Sequence, residues 1–295
     1  MNIVILGPGA IGTLWAHALY RAGHAVSVYS RHDVASLSLC LDGESITFAN
    51  NQPDRLANAD LLLVTLKAPQ VCDALSPLRD LVHPDTMIML MHNGMGNAEQ
   101  VQTWLPNNPL LLATTTHGAL RSDGGSIQHT GQGETFIGAA NLRGQACGFL
   151  AEVLHRALPT TAWHPDIEQA LWLKLAINCA INPLTALEHI RNGELARDDL
   201  QSIIAEIVSE VNSVMHAKGY TITQRELFEK INGVIANTAR NFSSMHQDIV
   251  HKRHSEIDFI TGYLLKWAAH YGLATPMNQR LYQEIKQREL SWKDD

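Results

Sequence analysis

The first thirty residues combine two kinds of apolar pattern. The run "NIVIL" is followed by the glycine-rich stretch "GPGAIG", a helical pattern of apolar residues and a second run, "AVSVYS". Continuous apolar runs of roughly four to eight residues are typical of buried strands, and apolar residues three and four apart indicate a helix. The pattern therefore predicts a strand, a tight turn, a helix and a second strand.

Later apolar runs extend this arrangement to residue 165. Three of them predict strands that lead into polar residues: residues 60–66 before Lys67, a run that ends at His92-Asn93-Gly94, and one that ends near His117 and Ala119. Residues 124–138 alternate around glycines, which predicts a hairpin at the sheet edge. A helix over 145–157 and a short strand over 160–163 complete this part.

Beyond Pro165 the pattern is helical. Helices are predicted over residues 166–188, 198–218, 223–239, 254–271 and 276–290, separated by stretches such as "KGYT" and "YGLATP". The chain is therefore expected to be an α/β protein with two domains. Residues 1–165 form the domain with a parallel sheet, and residues 166–295 form an all-helical domain.

The glycine-rich stretch predicts a dinucleotide-binding turn, because it follows a strand and opens a helix. Gly7 allows the turn, Gly9 lets a pyrophosphate approach the backbone, and Gly12 lets the helix lie close to the strand. The helix N-terminus presents unpaired N–H groups to phosphates. The first domain is thus expected to be a Rossmann-type domain; the alternative is a turn that binds no ligand.

The polar residues after the predicted strands favour an NADP site. The second strand ends in Ser30-Arg31, where an Asp or Glu would bind the ribose 2′-hydroxyl of NAD. Arg31 can pair with a 2′-phosphate, although a surface arginine without a ligand is the alternative. Lys67 and Asn93 also follow strands, where ligands of parallel sheets lie, but either residue could instead cap a loop.

The segment "LWLKLAINCAINPL" places Lys174, Asn178 and Asn182 four residues apart in an otherwise apolar helix. At about 100° per residue these side chains share one face. Loss of hydration would lower the pKa of the Lys174 amine from about 10.4, and a pKa of about 7 to 8 suits a proton donor at cellular pH. The alternative is a lysine whose ammonium group reaches solvent.

Polar residues elsewhere in the helical part are further candidates. Asn192, in "RNGEL", is either functional or a turn-former before glycine. Asn241, Ser243 and Ser244 fall on a helix or its start and carry groups that can bind a carboxylate. Glu256 is either functional or an acid that favours the dipole of the following helix.

Composition limits the class of protein. The 295 residues carry a net charge of -7, which disfavours nucleic acid as the main partner. No stretch approaches the roughly 20 apolar residues of a membrane span and no signal peptide is evident, so a cytoplasmic location is expected.

The four scattered cysteines are expected to be reduced. His251 and His254 form an H-x-x-H pair on a predicted helical surface, but no further ligand spacing completes a metal site, and no metal is expected.

Together these motifs resemble the ketopantoate reductases (2-dehydropantoate 2-reductases). The resemblance follows the family's order over nearly the whole chain, in "GPGAIG", "LLLVTLKA", "HNGMG", "TTTHGA", "LWLKLAINCAINPLTAL", "NGEL", "NFSSMHQDI" and "HSEIDFITGYLL". It implies NADPH-dependent reduction of 2-dehydropantoate to (R)-pantoate, a step towards pantothenate and coenzyme A. Pro8 in the glycine loop and the segment 32–50, which has no firm alignment, are departures from the family pattern.

The resemblance also implies roles for single residues. Lys174 matches the family's general acid. Substrate contacts are implied for Asn93, Lys174, Asn178, Asn182, Asn192, Asn241, Phe242, Ser243 and Ser244. Cofactor contacts are implied for Gly7, Pro8, Gly9, Ala10, Ile11, Gly12, Arg31, Lys67, Asn93, Ala119 and Glu256.

Two other functions remain open at this point. One is an NADPH-dependent reductase of another small 2-oxo acid, because a dinucleotide-binding domain does not choose the substrate. The other is a non-catalytic NADPH-binding sensor. The expected ligands are NADP and a small-molecule substrate, with no nucleic acid and no membrane partner, and both a monomer and a homodimer are compatible with the sequence.

Overall fold

The computed structural model describes residues 1–122 and 124–292. The chain forms two compact units, of which the first contains Met1–His92 and Asn97–Ala170. The second contains Asn93–Gly96 and the chain from Leu171 onward. The predicted fold class, a parallel sheet followed by an all-helical part, is confirmed. The domain boundary between residues 165 and 166 stays a prediction.

The first unit is built on one sheet of eleven strands in the order β11-β10-β7-β6-β5-β1-β2-β4-β3-β9-β8. The strands are β1 (Asn2–Leu6), β2 (Ala25–Tyr29), β3 (Ser36–Leu41), β4 (Glu44–Asn50), β5 (Leu61–Val64), β6 (Met87–Met91), β7 (Leu110–Thr115), β8 (Gly118–Arg121), β9 (Ile127–Gly131), β10 (Thr135–Ala139) and β11 (Thr161–Trp163). From β7 to β4 all neighbours are parallel, so the carboxyl ends of these six strands lie at the same end of the sheet.

Helices cover both faces of this sheet. They are α1 (Ala10–Arg21), α2 (Pro53–Ala57), α3 (Ala68–Leu75), α4 (Asn97–Trp104) and α5 (Leu150–Ala157), with 3₁₀ helices at Ser76–Leu81 and Arg143–Cys147. Ile3 and Ile5 of β1 belong to one apolar core, and Val4 and Leu6 belong to the other. Because side chains alternate along a strand, a strand buried on both faces must be apolar throughout, which explains the continuous run at the start of the chain.

The later part of the chain is helical. Its helices are α6 (Ile167–Glu188), α7 (Asp198–Ala217), α8 (Gln224–Asn237), α9 (Ser244–Val250), α10 (Thr261–Tyr271) and α11 (Pro276–Ser291), with 3₁₀ helices at Asn192–Ala196 and Ile257–Phe259. The expectation that no stretch approaches a membrane span is wrong for α6, which is long and apolar enough to cross a membrane, but 67% of its most apolar window is buried inside the protein. Its hydrophobicity is therefore that of a core helix.

The prediction of one helix over residues 254–271 is wrong at its start. The 3₁₀ turn Ile257–Phe259 comes first, and α10 begins only at Thr261. The backbone N–H of Ser255 donates to the carboxylate of Glu289 at 2.8 Å, so a side chain from α11 holds this segment outside a helix. A tertiary hydrogen bond of this kind leaves no periodic signal in the local sequence.

The hairpin predicted over residues 124–138 is also wrong in its pairing. Strand β9 pairs with β8, whereas β10 lies between β7 and β11. Ala119 accordingly lies inside β8 rather than at the end of the preceding strand, since β7 already ends at Thr115. The glycines at 124 and 125 belong to the connection between β8 and β9, and alternation alone could not show which strands they join.

Other elements were divided differently or were not predicted. The helix predicted over 145–157 is split into a 3₁₀ turn and α5. The hairpin of β3 and β4 was missed, although its turn carries Asp42-Gly43, both with positive φ (49° and 86°). An Asp-Gly pair between two strands is the usual signature of a two-residue hairpin turn, so a signal was present. The short helices α2, α3 and α4 were not predicted either.

Candidate functional site

The glycine-rich loop between β1 and α1 leaves no room for a side chain at Gly7 or Gly12. Gly7 has a φ of +89°, in the left-handed region that favours glycine. A Cβ atom on Gly12 would lie 2.5 Å from both the Gly7 carbonyl oxygen and Thr65 Oγ1, so glycine is needed for the close packing. A Cβ on Gly9 would meet only the Gly7 oxygen, at 4.0 Å. The protein's own packing therefore does not require glycine at position 9, whereas an approaching ligand would.

The start of α1 is suited to an anion. Gly9 provides no side-chain cap, and the first turn, which contains Ala10, Ile11 and Gly12, has no acidic residue. The first N–H groups of a helix have no intrahelical partner and carry partial positive charge. The Thr13 hydroxyl donates a hydrogen bond to the carbonyl oxygen of the buried Pro8 at 3.4 Å. The loop therefore fits the pyrophosphate of a dinucleotide.

The other predicted cofactor residues of the first unit lie in different places. Arg31 is exposed in the loop that follows β2. Lys67 is half-buried at the start of α3, where its carbonyl oxygen accepts the N–H of Gln70 at 2.9 Å. Ala119 is half-buried in β8. Arg31 and Lys67 thus follow strands of the parallel part of the sheet, whereas Ala119 lies on the edge strand at the other side of β3 and β9.

Lys174 lies in the middle of α6, where the two residues that follow it are buried. Leu175 and Ala176 are each 1% exposed, and Lys174 itself keeps only partial exposure. The loss of hydration lowers the pKa of Lys174 to about 8, and the negative charge of Glu256 opposes this shift. A lysine with such a pKa holds its proton at neutral pH and releases it readily, as a general acid must.

A carboxylate and an amide accompany this lysine. Glu256 is 7% exposed and interacts electrostatically with Lys174. Asn93 donates from Nδ2 to Glu256 Oε2 at 3.1 Å, across 163 residues of sequence. Asn93 belongs to the short segment Asn93–Gly96, which packs with the helical unit: Met95 N–H donates to the Phe259 carbonyl at 2.8 Å. The second unit therefore holds an ammonium group, a carboxylate and an amide in one cluster.

The predicted asparagines of the helical unit fall into two groups. Asn178 and Asn182 follow Lys174 along α6, where Asn178 is half-buried and Asn182 is 6% exposed. Asn192 lies at the start of the next 3₁₀ helix and donates from Nδ2 to Thr238 Oγ1 at 2.9 Å. Within the described part of the chain, the buried Oδ1 atom of Asn192 has no hydrogen-bond partner. Such an atom is costly to bury unless a ligand or water satisfies it.

The segment 241–244 lies at the start of α9, as predicted. Asn241 and Ser244 are exposed, and the Phe242 ring stacks on His246 with centroids 4.3 Å apart. Ser243 is buried, and its hydroxyl oxygen accepts from the His246 N–H at 3.0 Å and from the Thr185 hydroxyl at 2.7 Å. Ser243 therefore caps α9, and only Ser244 offers an exposed hydroxyl. Substrate contacts of this segment stay a prediction.

Comparison with known proteins decides the family. The model of the family described as ketopantoate reductase PanE/ApbA matches residues 3–141, and that of the PanE/ApbA C-terminal part matches residues 166–289. A 2-dehydropantoate 2-reductase of Vibrio cholerae is 48% identical over 293 residues, covering 99% of each chain. One of Yersinia pestis is 42% identical over 297 residues, covering 99% of this chain and 96% of the relative. The chain belongs to the ketopantoate reductase family.

Solved structures agree with this fold. A ketopantoate reductase of the PanE/ApbA family from Ralstonia eutropha JMP134 has a TM-score of 0.87 at 23% identity and covers 99% of this chain. A D-mandelate dehydrogenase in complex with NADH and anilino(oxo)acetate reaches a TM-score of 0.88 at 22% identity over 99% of this chain. At these identities the likeness shows the shared fold alone. The resemblance inferred from the sequence is confirmed by the family models and the relatives.

This ketopantoate reductase family member also contains supporting residues that the sequence did not single out. Glu289 of α11 is 3% exposed, and its Oε1 atom accepts from the Ser255 N–H and, at 2.6 Å, from the Ser255 hydroxyl. It thereby fixes the residue before Glu256. Asn50 and Asn51 hold the loop that carries Arg31. Glu289 looks like an ordinary surface acid in an amphipathic helix, so no local signal could have identified it.

All four cysteines are unpaired thiols, as predicted, and burial raises the pKa of Cys179 to about 12. His251 and His254 are exposed and follow the end of α9, so their predicted placement on a helix is wrong. Among the described residues there is no group of three histidine, cysteine or acidic residues that could hold a metal ion.

Proposed function

We propose that this protein is a 2-dehydropantoate 2-reductase, an NADP-dependent oxidoreductase that forms (R)-pantoate. The observation that carries the proposal is Lys174, whose pKa is lowered to about 8 beside Glu256, in a chain of the ketopantoate reductase family. Relatives named for this activity extend over 99% of the chain. The product is a precursor of pantothenate, and the enzyme works in the cytoplasm.

The two predicted domains have different roles, one in cofactor binding and the other in substrate binding and proton donation. Residues 1–165 bind NADPH through the loop Gly7–Gly12, with Arg31 at the 2′-phosphate and Lys67 and Ala119 as further contacts. Residues 166–295 bind the substrate and supply the acid, together with Asn93, which follows β6. What supports this division is the uncapped start of α1 in one unit and the lysine cluster in the other.

The chemical step adds two hydrogens to the keto group of the substrate. Bound NADPH supplies the hydride that the carbonyl carbon accepts. Lys174 donates the proton from Nζ to the carbonyl oxygen, and its positive charge stabilises the negative charge that develops there. Glu256 favours the protonated form of Lys174, and Asn93 holds the Glu256 carboxylate. Glu256 also contacts the cofactor.

The remaining polar residues bind and orient the substrate. Asn178, Asn182 and Asn192 supply amides, and the segment 241–244 supplies the exposed hydroxyl of Ser244. Amide and hydroxyl donors suit the carboxylate and hydroxyl groups of 2-dehydropantoate. The Asn192 Oδ1 atom, buried and without a partner within the described residues, supports a ligand next to Asn192.

The direct test is the oxidation of NADPH by the purified protein in the presence of 2-dehydropantoate, with NADH as the control cofactor. We expect rapid oxidation of NADPH and much slower oxidation of NADH. A panel of other small 2-oxo acids is measured in parallel. A higher kcat/KM for another acid would replace the proposed substrate, and NADPH binding without turnover of any acid would identify a sensor.

A further inference from the structure

The loop that carries Arg31 connects β2 to β3 and passes the end of β4. It leaves β2 and enters β3, and β4 lies between these two strands in the sheet. The last residue of β4 is Asn50, and Asn51 follows it. The side chains of both asparagines form hydrogen bonds with the loop backbone at residues 30, 32 and 34. The end of β4 therefore anchors the loop.

Asn51 binds the backbone on both sides of Arg31. Its Oδ1 atom accepts the N–H of Ser30 at 2.9 Å, and its Nδ2 atom donates to the Ser30 carbonyl at 3.0 Å. The same Nδ2 atom donates to the His32 carbonyl at 2.8 Å. Because Arg31 lies between these two residues, one amide group fixes the backbone before and after it.

Asn50 extends the same arrangement along the loop. It is 1% exposed, and its Nδ2 atom donates to the carbonyls of His32 at 3.0 Å and Val34 at 2.7 Å. Asn51 adopts a φ of +53°, a conformation that asparagine tolerates better than most residues. The exposed loop thus has an ordered backbone although it contains no helix or strand.

We propose that Asn51 is a positioning residue that determines cofactor specificity, because it holds the Arg31 loop in the shape that receives the 2′-phosphate of NADPH. This inference rests on the proposed function, in which Arg31 binds that phosphate. A loop that is ordered in advance loses less conformational entropy on binding, which strengthens the bound state. NADH lacks the 2′-phosphate, so the ordered loop does not increase its binding affinity.

The test is a set of dissociation constants for NADPH and NADH, measured by fluorescence titration at one ionic strength because the phosphate contact is screened by salt. The variants are Asn51→Gly, Arg31→Ala and the double variant. Glycine is chosen because it accepts the positive φ of position 51 without strain, so the fold is retained. Asn58→Ala is the matched control: it also removes an amide-to-carbonyl bond, that to Asp54 O at 2.8 Å, but away from the loop.

We expect Asn51→Gly to raise the Kd of NADPH about ten-fold and that of NADH less than about two-fold. Arg31→Ala should raise the Kd of NADPH about ten- to hundred-fold, as loss of a charged hydrogen bond does. In the Arg31→Ala background, Asn51→Gly should have almost no further effect, because coupled residues are not additive. Asn58→Ala should bind both cofactors like the wild type.

Two results would overturn the inference while leaving the proposed function intact. One is an equal loss of NADPH and NADH affinity in Asn51→Gly, which marks a purely structural role. The other is a full additional loss in the double variant, which shows that Asn51 does not act through Arg31. A wild type that binds NADPH and NADH equally well would instead contradict the cofactor assignment itself, and this inference with it.

Discussion

At the scale of the residue, the chemistry of this protein depends on how a few charged groups are surrounded. Lys174 is placed where desolvation lowers its pKa to about 8 while Glu256 favours its charged form. The two influences oppose each other, and desolvation is the stronger. The result is a lysine that is protonated at neutral pH but gives up its proton more easily than a solvated lysine does.

Replacing Lys174 by alanine tests its role as the acid. We expect kcat for 2-dehydropantoate reduction to fall about 10²- to 10⁴-fold, because both the proton and the positive charge at the carbonyl oxygen are lost. The Kd of NADPH should change little. Steady-state kinetics and a fluorescence titration measure the two quantities, and an unchanged kcat would exclude Lys174 as the acid.

The pH dependence of the reaction should report the pKa of Lys174. The acid must be protonated to react, so kcat/KM should be constant below the pKa and decline as the pH rises through about 8. In Glu256→Gln the decline should move to lower pH, because the charge that favours the ammonium form is gone. A pH-rate profile between pH 6 and 10 measures both; a decline only near the pKa of a solvated lysine, about 10.4, would contradict this prediction.

At the scale of the element, the loop and helix termini show which features the fold needs and which a ligand needs. Gly12 is required by the close packing of α1 on the chain around Gly7, whereas Gly9 has open space around its Cβ position. The motif therefore contains one glycine that the packing of the fold requires, Gly12, and one that it does not require, Gly9. Similarly, the segment before α10 is held by Glu289 from another helix and not by its own sequence.

Alanine at the two glycines should separate these requirements. Gly12→Ala should destabilise the protein by about 1 to 3 kcal/mol, because the new Cβ overlaps the Gly7 oxygen and Thr65. Gly9→Ala should unfold like the wild type, since the backbone there has an ordinary φ of -74°, but should bind NADPH more weakly. Urea unfolding and cofactor titration are the measurements. Unchanged NADPH affinity in Gly9→Ala would argue against a pyrophosphate at this loop.

Removal of the Glu289 side chain should be costly. Glu289→Ala leaves the buried N–H and hydroxyl of Ser255 without their acceptor, so we expect a loss of about 1 to 3 kcal/mol in the free energy of unfolding. Glu284→Ala, on the same helix but exposed and paired with Arg280 at the surface, serves as the control and should be nearly neutral. Equal stabilities of the two variants in urea would show that the Ser255 contacts contribute little.

At the scale of the whole molecule, the two units carry different candidate groups for the proposed reaction. The sheet unit has the nucleotide loop and Arg31, and the helical unit has Lys174 with Glu256 and the asparagines. The segment Asn93–Gly96 is covalently part of the strand β6 region but packs with the helical unit. Asn93, to which the family resemblance assigns contacts with both ligands, therefore follows a strand of the sheet unit in sequence but packs with the helical unit.

NADPH should stabilise the folded protein by mass action. At a concentration about 100 times its Kd, a ligand that binds only the native state adds about 2.7 kcal/mol. Thermal unfolding should shift to higher temperature with increasing NADPH, and NADH at the same concentration should shift it less. Identical shifts for both cofactors would contradict a specific site for the 2′-phosphate.

Much of the fold was predictable because it depends on local patterns. The strand and helix around the glycine loop, and the long helices α6, α7, α8 and α11, follow from periodicity that is strong over many residues. Some errors occurred where pairing partners are far apart in sequence, whereas the β3–β4 hairpin was missed although its Asp42-Gly43 signal is local. The place of β10 between β7 and β11 and the late start of α10 depend on which distant strand or side chain comes close.

The candidate site shows the same division. Residue type and spacing were enough to select Lys174, Arg31 and the glycines, because each is chemically unusual in its local context. Asn50, Asn51 and Glu289 were not selected, since asparagine after a strand and glutamate on a helix are ordinary there. Their importance comes only from the groups to which they donate or from which they accept.

The sequence by itself determined the α/β class, the family and the types of residue that can perform the chemistry, because these depend on periodicity, composition and motifs within short stretches. Only the tertiary structure decided that Asn93 meets Glu256, that Glu256 acts on Lys174 and that Asn51 holds the Arg31 loop. Charge interactions, desolvation and hydrogen bonds act over a few ångströms, and which groups lie that close is set by how the whole chain packs.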